Sequence, residues 1–484
     1  MAGVQHIAKP TLMANNTNHK AFLTAKRITM LIISMALFMD VLDSNIVNTA
    51  VPAMSQTFNV SPIDLKIALI SYLLSLALFI PTSGWAADQY GAKPVFIAAM
   101  GLFTLTSFFC GYAHTLVELV IARFIQGMGG AFMISLGRLI IAQTFKRYEF
   151  VEAMNVIIIV VSVATMMGPF IGGVIVDHLS WPWIFWVNIP AGLLAIIVSI
   201  IYLKDPTIRS SKPFDLIGFI LFAGSITLFC FSLAEISNTN SNLNSIFLRI
   251  IIALLTLIVY FFYAKKKAHP VIKTELFKTR TFRISVIGSL CSRLGFGGMP
   301  FLLPLLQQIG FGFSAQLSGL LLMPIAFGII LSKIISIKIL RKIGYKYFLL
   351  INTFLVSISL CSFQFITIQT PIYIIALFTF IFGVFISAQF TSMNSLALAD
   401  IKDEHLSAST SITSTVQILG QSLGVAVAAI LLRFFSSRLH QKLLLSPAIF
   451  HHAFIALGII TLFSAFIFMF LKLKDGEQML IKKL

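Results

Sequence analysis

The sequence predicts an all-α protein that crosses a membrane many times. Three observations predict it. Of the 484 residues, 58% are hydrophobic and only 11% are charged, against about 25% charged in a soluble domain. Apolar runs long enough to span a hydrocarbon core of about 30 Å, roughly 20 residues as helix, recur along the whole chain. The basic residues collect between those runs, in alternate loops.

Taken in order, the runs fall at 28–51, 65–87, 94–112, 115–136, 152–176, 182–203, 215–235, 246–263, 284–307, 316–337, 347–367, 371–396, 407–432 and 449–471. The first follows Lys20, Lys26 and Arg27, as a signal peptide would, but it is too long for a signal core and holds Asp40 and Asp43, so it reads as an uncleaved helix. Residues 1–25 are polar and without apolar periodicity, and are expected to form a flexible tail. The 371–396 and 407–432 runs are the most polar, rich in Ser, Thr, Asn and Gln. Fourteen spans return the chain to the side on which it starts.

Orientation follows from the excess of Lys and Arg in cytoplasmic loops. With the N-terminus inside, 27 of the 35 Lys and Arg lie in inside segments and three lie outside, Arg433, Arg438 and Lys442. The inside clusters include Arg138, Lys146 and Arg147, then Lys204, Arg209 and Lys212, then the run from Lys265 to Arg283. Both termini are therefore expected in the cytoplasm. A net charge of +18 spread this way orients a membrane protein and makes no nucleic-acid patch.

No loop is long enough to house a soluble enzyme domain, and no catalytic cluster is visible. Cys110, Cys230, Cys291 and Cys361 stand singly in apolar segments, with no metal or disulfide spacing. His451 and His452 adjoin, but neighbours on a helix point to different faces, so no metal site is expected.

The chain repeats itself. Asp88-Gln89-Tyr90-Gly91-Ala92-Lys93, between spans two and three, matches Arg341-Lys342-Ile343-Gly344-Tyr345-Lys346, between spans ten and eleven, in its Gly and Lys. Transporters are commonly built from such repeats, with the substrate site near the midplane between halves.

Several motifs then carry a resemblance. Gly84-Trp85-Ala86-Ala87-Asp88-Gln89-Tyr90-Gly91-Ala92-Lys93 resembles the loop signature of the major facilitator superfamily. Asp88, Gly91 and Lys93 fit, while Gln89 and Ala92 stand where the family carries arginines. Arg123-Phe124-Ile125-Gln126-Gly127 with Gly129 resembles the fourth-helix signature. Gly168-Pro169-Phe170-Ile171-Gly172-Gly173 resembles the fifth-helix antiporter signature, with Ala164 in place of its upstream glycine. Leu42 to Pro52 resembles the first-helix signature of fourteen-helix drug:proton antiporters, and Trp181 to Gly192 the start of that branch's sixth helix. The second half is similar to EmrB/QacA-type exporters, nearest to the MdtD-like members.

The resemblance implies two six-helix bundles joined by two extra helices. The boundaries are a cytoplasmic tail (1–27), a first bundle (28–203), linker helices with their loops (204–283), a second bundle (284–471) and a closing tail (472–484). It implies a proton-coupled exporter of amphipathic, drug-like molecules in the plasma membrane, here a bacterial inner membrane. It would use the proton gradient and no bound cofactor, and would work as a monomer. A periplasmic adaptor stays open. Transport of one defined metabolite and a non-transporting scaffold or sensor are the alternatives. The scaffold is disfavoured because ionised groups in mid-membrane are expensive.

Those groups are Asp40, Asp43 and Arg123. From the rise of a helix, Asp40 lies about 18 Å, Asp43 about 22 Å and Arg123 about 20 Å above the inner face. Asp40 and Asp43, three residues apart, share a helix face. Neighbouring carboxylates in apolar surroundings favour taking up a proton, and a guanidinium opposes it. The expected coupling set is Asp43, Asp40 and Arg123, with Asp43 foremost because it lies in the motif. Gly84, Asp88, Gly91 and Lys93 are the candidate gating loop. Gly168, Pro169, Gly172 and Gly173 are expected to form a hinge or seal between halves. Asn48, Gln126, Arg293 and Asn394 are candidates for the substrate cavity. Glu118 is expected at an interface, and Lys333 to snorkel.

Overall fold

The computed structural model describes residues 11–145, 147–204, 213–238, 242–438 and 445–479. The predicted clusters at Lys146, Arg209, Lys212 and Lys442, with residues 1–10 and 480–484 of the tails, lie outside the described residues. No strand occurs among the described residues, and thirteen helices are long and apolar enough to cross a membrane.

These helices are α1 (Thr11–Thr57), α2 (Lys66–Tyr90), α3 (Ala92–Tyr112), α4 (Leu116–Thr144), α5 (Arg147–His178), α6 (Trp183–Tyr202), α7 (Leu216–Ile236), α8 (Leu243–Lys266), α9 (Arg280–Gly310), α10 (Ala315–Ser362), α11 (Ile372–Leu398), α12 (Leu406–Arg438) and α13 (Pro447–Met469). Polar residues start several of them where the apolar runs begin. Thr115, Asp215 and Ser314 each accept a backbone N–H from the first turn of α4, α7 and α10, satisfying donors that have no partner within the helix.

Thirteen helices carry the fourteen expected spans because α10 holds two of them. Its 48 residues would reach about 70 Å as a straight rod, twice the membrane core. It breaks at Gly344, whose φ of 75° and ψ of 167° are not helical. Gly91, the matching residue of the first repeat, separates α2 from α3 with φ 95° and ψ 144°. The two loops paired by sequence thus share one backbone device, a positive-φ turn that glycine adopts without a Cβ penalty. The expectation of a flexible tail over residues 1–25 is corrected: the chain is helical from Thr11. Residues 11–25 contain neither Gly nor Pro, so nothing in them stops a helix that the membrane span has already nucleated.

Helices α1 to α6 pack on one another, as do α9 to α13. The two groups meet where α5 lies along α10, α2 along α12, and α1 against α9. Helices α7 and α8 pair together and touch the rest through α2 and α12. At one end of the bundle the meeting of halves is polar. The Asp177 carboxylate, at the end of α5, accepts the N–H groups of Ala315 and Gln316 at 3.2 and 2.7 Å, capping α10 across the seam. A π-turn at Leu306–Gly310 turns the Gln308 amide to donate to the Thr49 carbonyl of α1 at 3.1 Å.

Candidate functional site

Arg123 lies inside α4, and a guanidinium that cannot reach water needs an anion. Asp43 of α1 supplies it: the two form an ion pair with both side chains 1% exposed or less. Gln126, one turn along α4, locks the pair. Its Oε1 accepts from Arg123 at 2.7 Å, while its Nε2 donates to Asp43 at 3.1 Å and to Ser107 at 2.7 Å. Asn188 at the start of α6 donates to the same Asp43 oxygen at 2.9 Å. The Tyr72 ring lies beneath the guanidinium, 4.0 Å from Cζ to centroid, a cation–π contact in a dry setting. Asp43 is thus fully engaged, by one cation and two amides drawn from two other helices.

Asp40, one turn before Asp43, has a different partner. The Tyr72 hydroxyl donates to its Oδ1 at 2.6 Å, and no ion pair among the described residues includes it. Tyr72 therefore touches both centres, its ring on Arg123 and its hydroxyl on Asp40. Tyr72 and Asn188 belong to this cluster, and the sequence reading did not single them out. Asn188 lies in the quoted Trp181 to Gly192 motif, where an amide in an apolar run was the available signal. Tyr72 gave none.

Gln126 belongs to this cluster and does not line the central cavity. That cavity, about 160 Å³, opens between the halves. Asn45 and Asn48 of α1, Thr165 and Pro169 of α5, Arg293 of α9 and Gln421 of α12 line it, with Phe296, Phe382, Phe390 and aliphatic residues as its wall. It is smaller than the roughly 300–1,000 Å³ of usual ligand pockets. Asn394 is not in its lining; it is hydrogen-bonded to Gln417 instead.

The glycine–proline segment of α5 divides its contacts. A Cβ on Gly168 would stand 2.8 Å from the Asn45 Cβ, and one on Gly172 2.7 Å from the Ile46 carbonyl, both on α1 of the same half. Gly173 faces the Ala315 carbonyl of α10, and Gly319 of α10 faces the Pro169 carbonyl in return. The seam between halves is thus made by Gly173, Pro169 and Gly319, while Gly168 and Gly172 bind α5 to α1. In the loop motif, Gly91 makes the turn, Lys93 donates to the Ile200 carbonyl at 2.9 Å, Gly84 meets open space and Asp88 is half-buried. Glu118 accepts the His114 N–H at 2.8 Å, beside the Thr115 cap. Lys333 is exposed less than a surface lysine would be and lies outside the cavity lining.

The model of the Major Facilitator Superfamily matches residues 33–425. The chain belongs to this superfamily. Among curated proteins it is 33% identical, over 439 residues, to "Putative multidrug resistance protein MdtD" of Escherichia coli K12, covering 90% of this chain and 93% of that one. Among solved structures it resembles a bacterial homologue of the human lysosomal transporter Spinster, in an inward-facing, unoccupied conformation, with a TM-score of 0.66 at 14% identity over 94% of this chain and 97% of that one. It also resembles a POT-family transporter in complex with 5-aminolevulinic acid, with a TM-score of 0.68 at 13% identity over 93% and 96%. At such identities these two show the fold alone. The chain is a multi-pass major facilitator transporter and not an enzyme.

Proposed function

We propose that this major facilitator protein exports amphipathic, drug-like small molecules across a bacterial inner membrane in exchange for protons, with both termini in the cytoplasm. The kinship with MdtD, which spans nearly the whole of both chains, supports the substrate class. The observation that carries the coupling is the buried Asp43–Arg123 pair with Asp40 beside it, bridged by Tyr72.

The two carboxylates divide the work. Protonating Asp43 would leave Arg123 without its anion, a costly state in a dry interior. Protonating Asp40 would disturb only one phenol hydrogen bond. Asp40 receives the proton, and Asp43 with Arg123 holds α1, α4 and α6 in a register that answers to it. A proton on Asp40 and a substrate in the cavity bear on the same helix, since Asn45 and Asn48 are on α1 with both aspartates. The split of 27 Lys and Arg inside against three outside supports the orientation.

Expressed in a pump-deficient bacterial host, the chain is expected to raise the tolerated dose of at least one amphipathic inhibitor from a broad panel. An uncoupler that collapses the proton gradient is expected to erase the difference. Tolerance that survives the uncoupler would remove proton coupling, and no exported compound would remove export. For orientation, Lys266→Cys in intact cells should resist a membrane-impermeant thiol reagent and react once the membrane is opened. Labelling from outside would invert the topology.

A further inference from the structure

Arg293 stands in the central cavity without an anion. It is 7% exposed, its Nε has no hydrogen-bond partner, and no ion pair among the described residues includes it. The other buried or half-buried arginines that make ion pairs have carboxylates: Arg123 has Asp43, Arg249 has Glu235, and Arg280 has Asp475. No acidic side chain lines the cavity. The guanidinium is nevertheless held firmly. It sits over the Phe390 ring, 3.9 Å from Cζ to centroid. Gly420 of α12 leaves room for its stem, since a Cβ there would stand 2.9 Å from the Arg293 Cβ and 3.0 Å from its Cδ.

A buried charge without a partner is retained against its desolvation cost only where something compensates it. An arginine stacked on an aromatic ring presents a planar fork that matches a carboxylate in two hydrogen bonds. We propose that the cavity binds the anionic head of an amphipathic acid, with the carboxylate on Arg293 and the apolar body against Phe390, Phe296 and Phe382. Asn48 and Gln421, neutral amides on the opposing helices of the same cavity, serve the polar substituents. This deepens the export reading by naming its substrates as acids.

The test compares 2-naphthoate with its uncharged amide and with a naphthylmethylammonium salt, measured by calorimetry on the full chain in lipid nanodiscs. A charge-assisted hydrogen bond to a buried guanidinium predicts that naphthoate binds at least about tenfold more tightly than the amide. Arg293→Gln should remove that preference, and Arg293→Lys should keep part of it. The wild-type comparison stands even if a variant fails to fold. Equal affinity for acid and amide, preference for the cation, no binding of naphthoate at millimolar concentration, or an undiminished preference in Arg293→Gln would each overturn the assignment. The export reading fails separately: a protein that prefers the acid but exports nothing keeps the anion site and loses the pump, whereas one that exports cations in cells while binding acid and amide alike does the reverse.

Discussion

Replacing Asp43 by Asn should reduce proton-driven exchange to background in proteoliposomes and at the same time destabilise the protein. The substitution keeps an oxygen for Asn188 and Gln126 but takes away the carboxylate that pairs with Arg123. Leaving a buried charge unpaired costs about 3–5 kcal/mol. Thermal unfolding should therefore begin lower in Asp43→Asn, and the double variant Asp43→Asn/Arg123→Gln should recover stability without recovering exchange. Asp40→Asn separates the roles. Its loss leaves the ion pair intact and the Tyr72 hydroxyl still has an acceptor, so the fold should be nearly unaffected while proton-driven exchange is lost. Exchange at wild-type rate in Asp40→Asn would move the proton to Asp43. Exchange at wild-type rate in both would end the coupling assignment for this cluster.

Introducing Leu at Gly173 is expected to weaken transport more selectively than Leu at Gly168. Gly173 faces the α10 backbone across the seam, where no side chain fits, whereas Gly168 lies against α1 of its own half. Overpacking costs about 1–3 kcal/mol. At Gly173 that cost falls only on the arrangement in which α5 and α10 touch, so it shifts the balance between arrangements by about 5- to 150-fold. At Gly168 it falls on the first bundle in every arrangement, lowering stability and expression. Spin labels at the ends of α5 and α10 should report a wider distance in Gly173→Leu, with near-normal insertion and sharply reduced transport. An unchanged distance distribution would mean that this contact does not set the balance.

The helices were legible because lipid demands long apolar runs and the runs are there. What escaped was set by single residues. The division of α10 rests on one dihedral pair at Gly344, and a helix-compatible sequence from Thr11 reads as a tail only if polarity is taken as disorder. In the site, Asp43 and Arg123 were found because charge is conspicuous in apolar sequence and depth follows from the rise per residue. Rotation about the helix axis was harder. Arg123 and Gln126 are three apart and share a face, which places Gln126 with the ion pair instead of the cavity. Tyr72 and Asn188 were unreadable for another reason: a neutral polar side chain in a membrane helix serves packing, backbone or partner equally well until its neighbours are known. The fifth-helix motif groups Gly168, Gly172 and Gly173 as one seam, but their neighbours put only Gly173 on the seam and leave Gly168 and Gly172 within one half.

One limb of α10 bears three of the contacts described above. Its N-terminus is capped by Asp177, its Gly319 meets Pro169, and its Leu322, Ile325, Ala326 and Ile329 wall the cavity. The limb stays helical from the Asp177 cap through Pro324 to its break at Gly344, so the wall of the binding chamber and the closure of the seam lie on one rod. Thermodynamic reciprocity then applies. Whatever factor a bound molecule imposes on opening, opening imposes on the affinity for that molecule, and a molecule that fits both positions of the rod equally well is held without being moved. Such a molecule is an inhibitor by geometry, and selectivity for cargo resides in the difference between two fits.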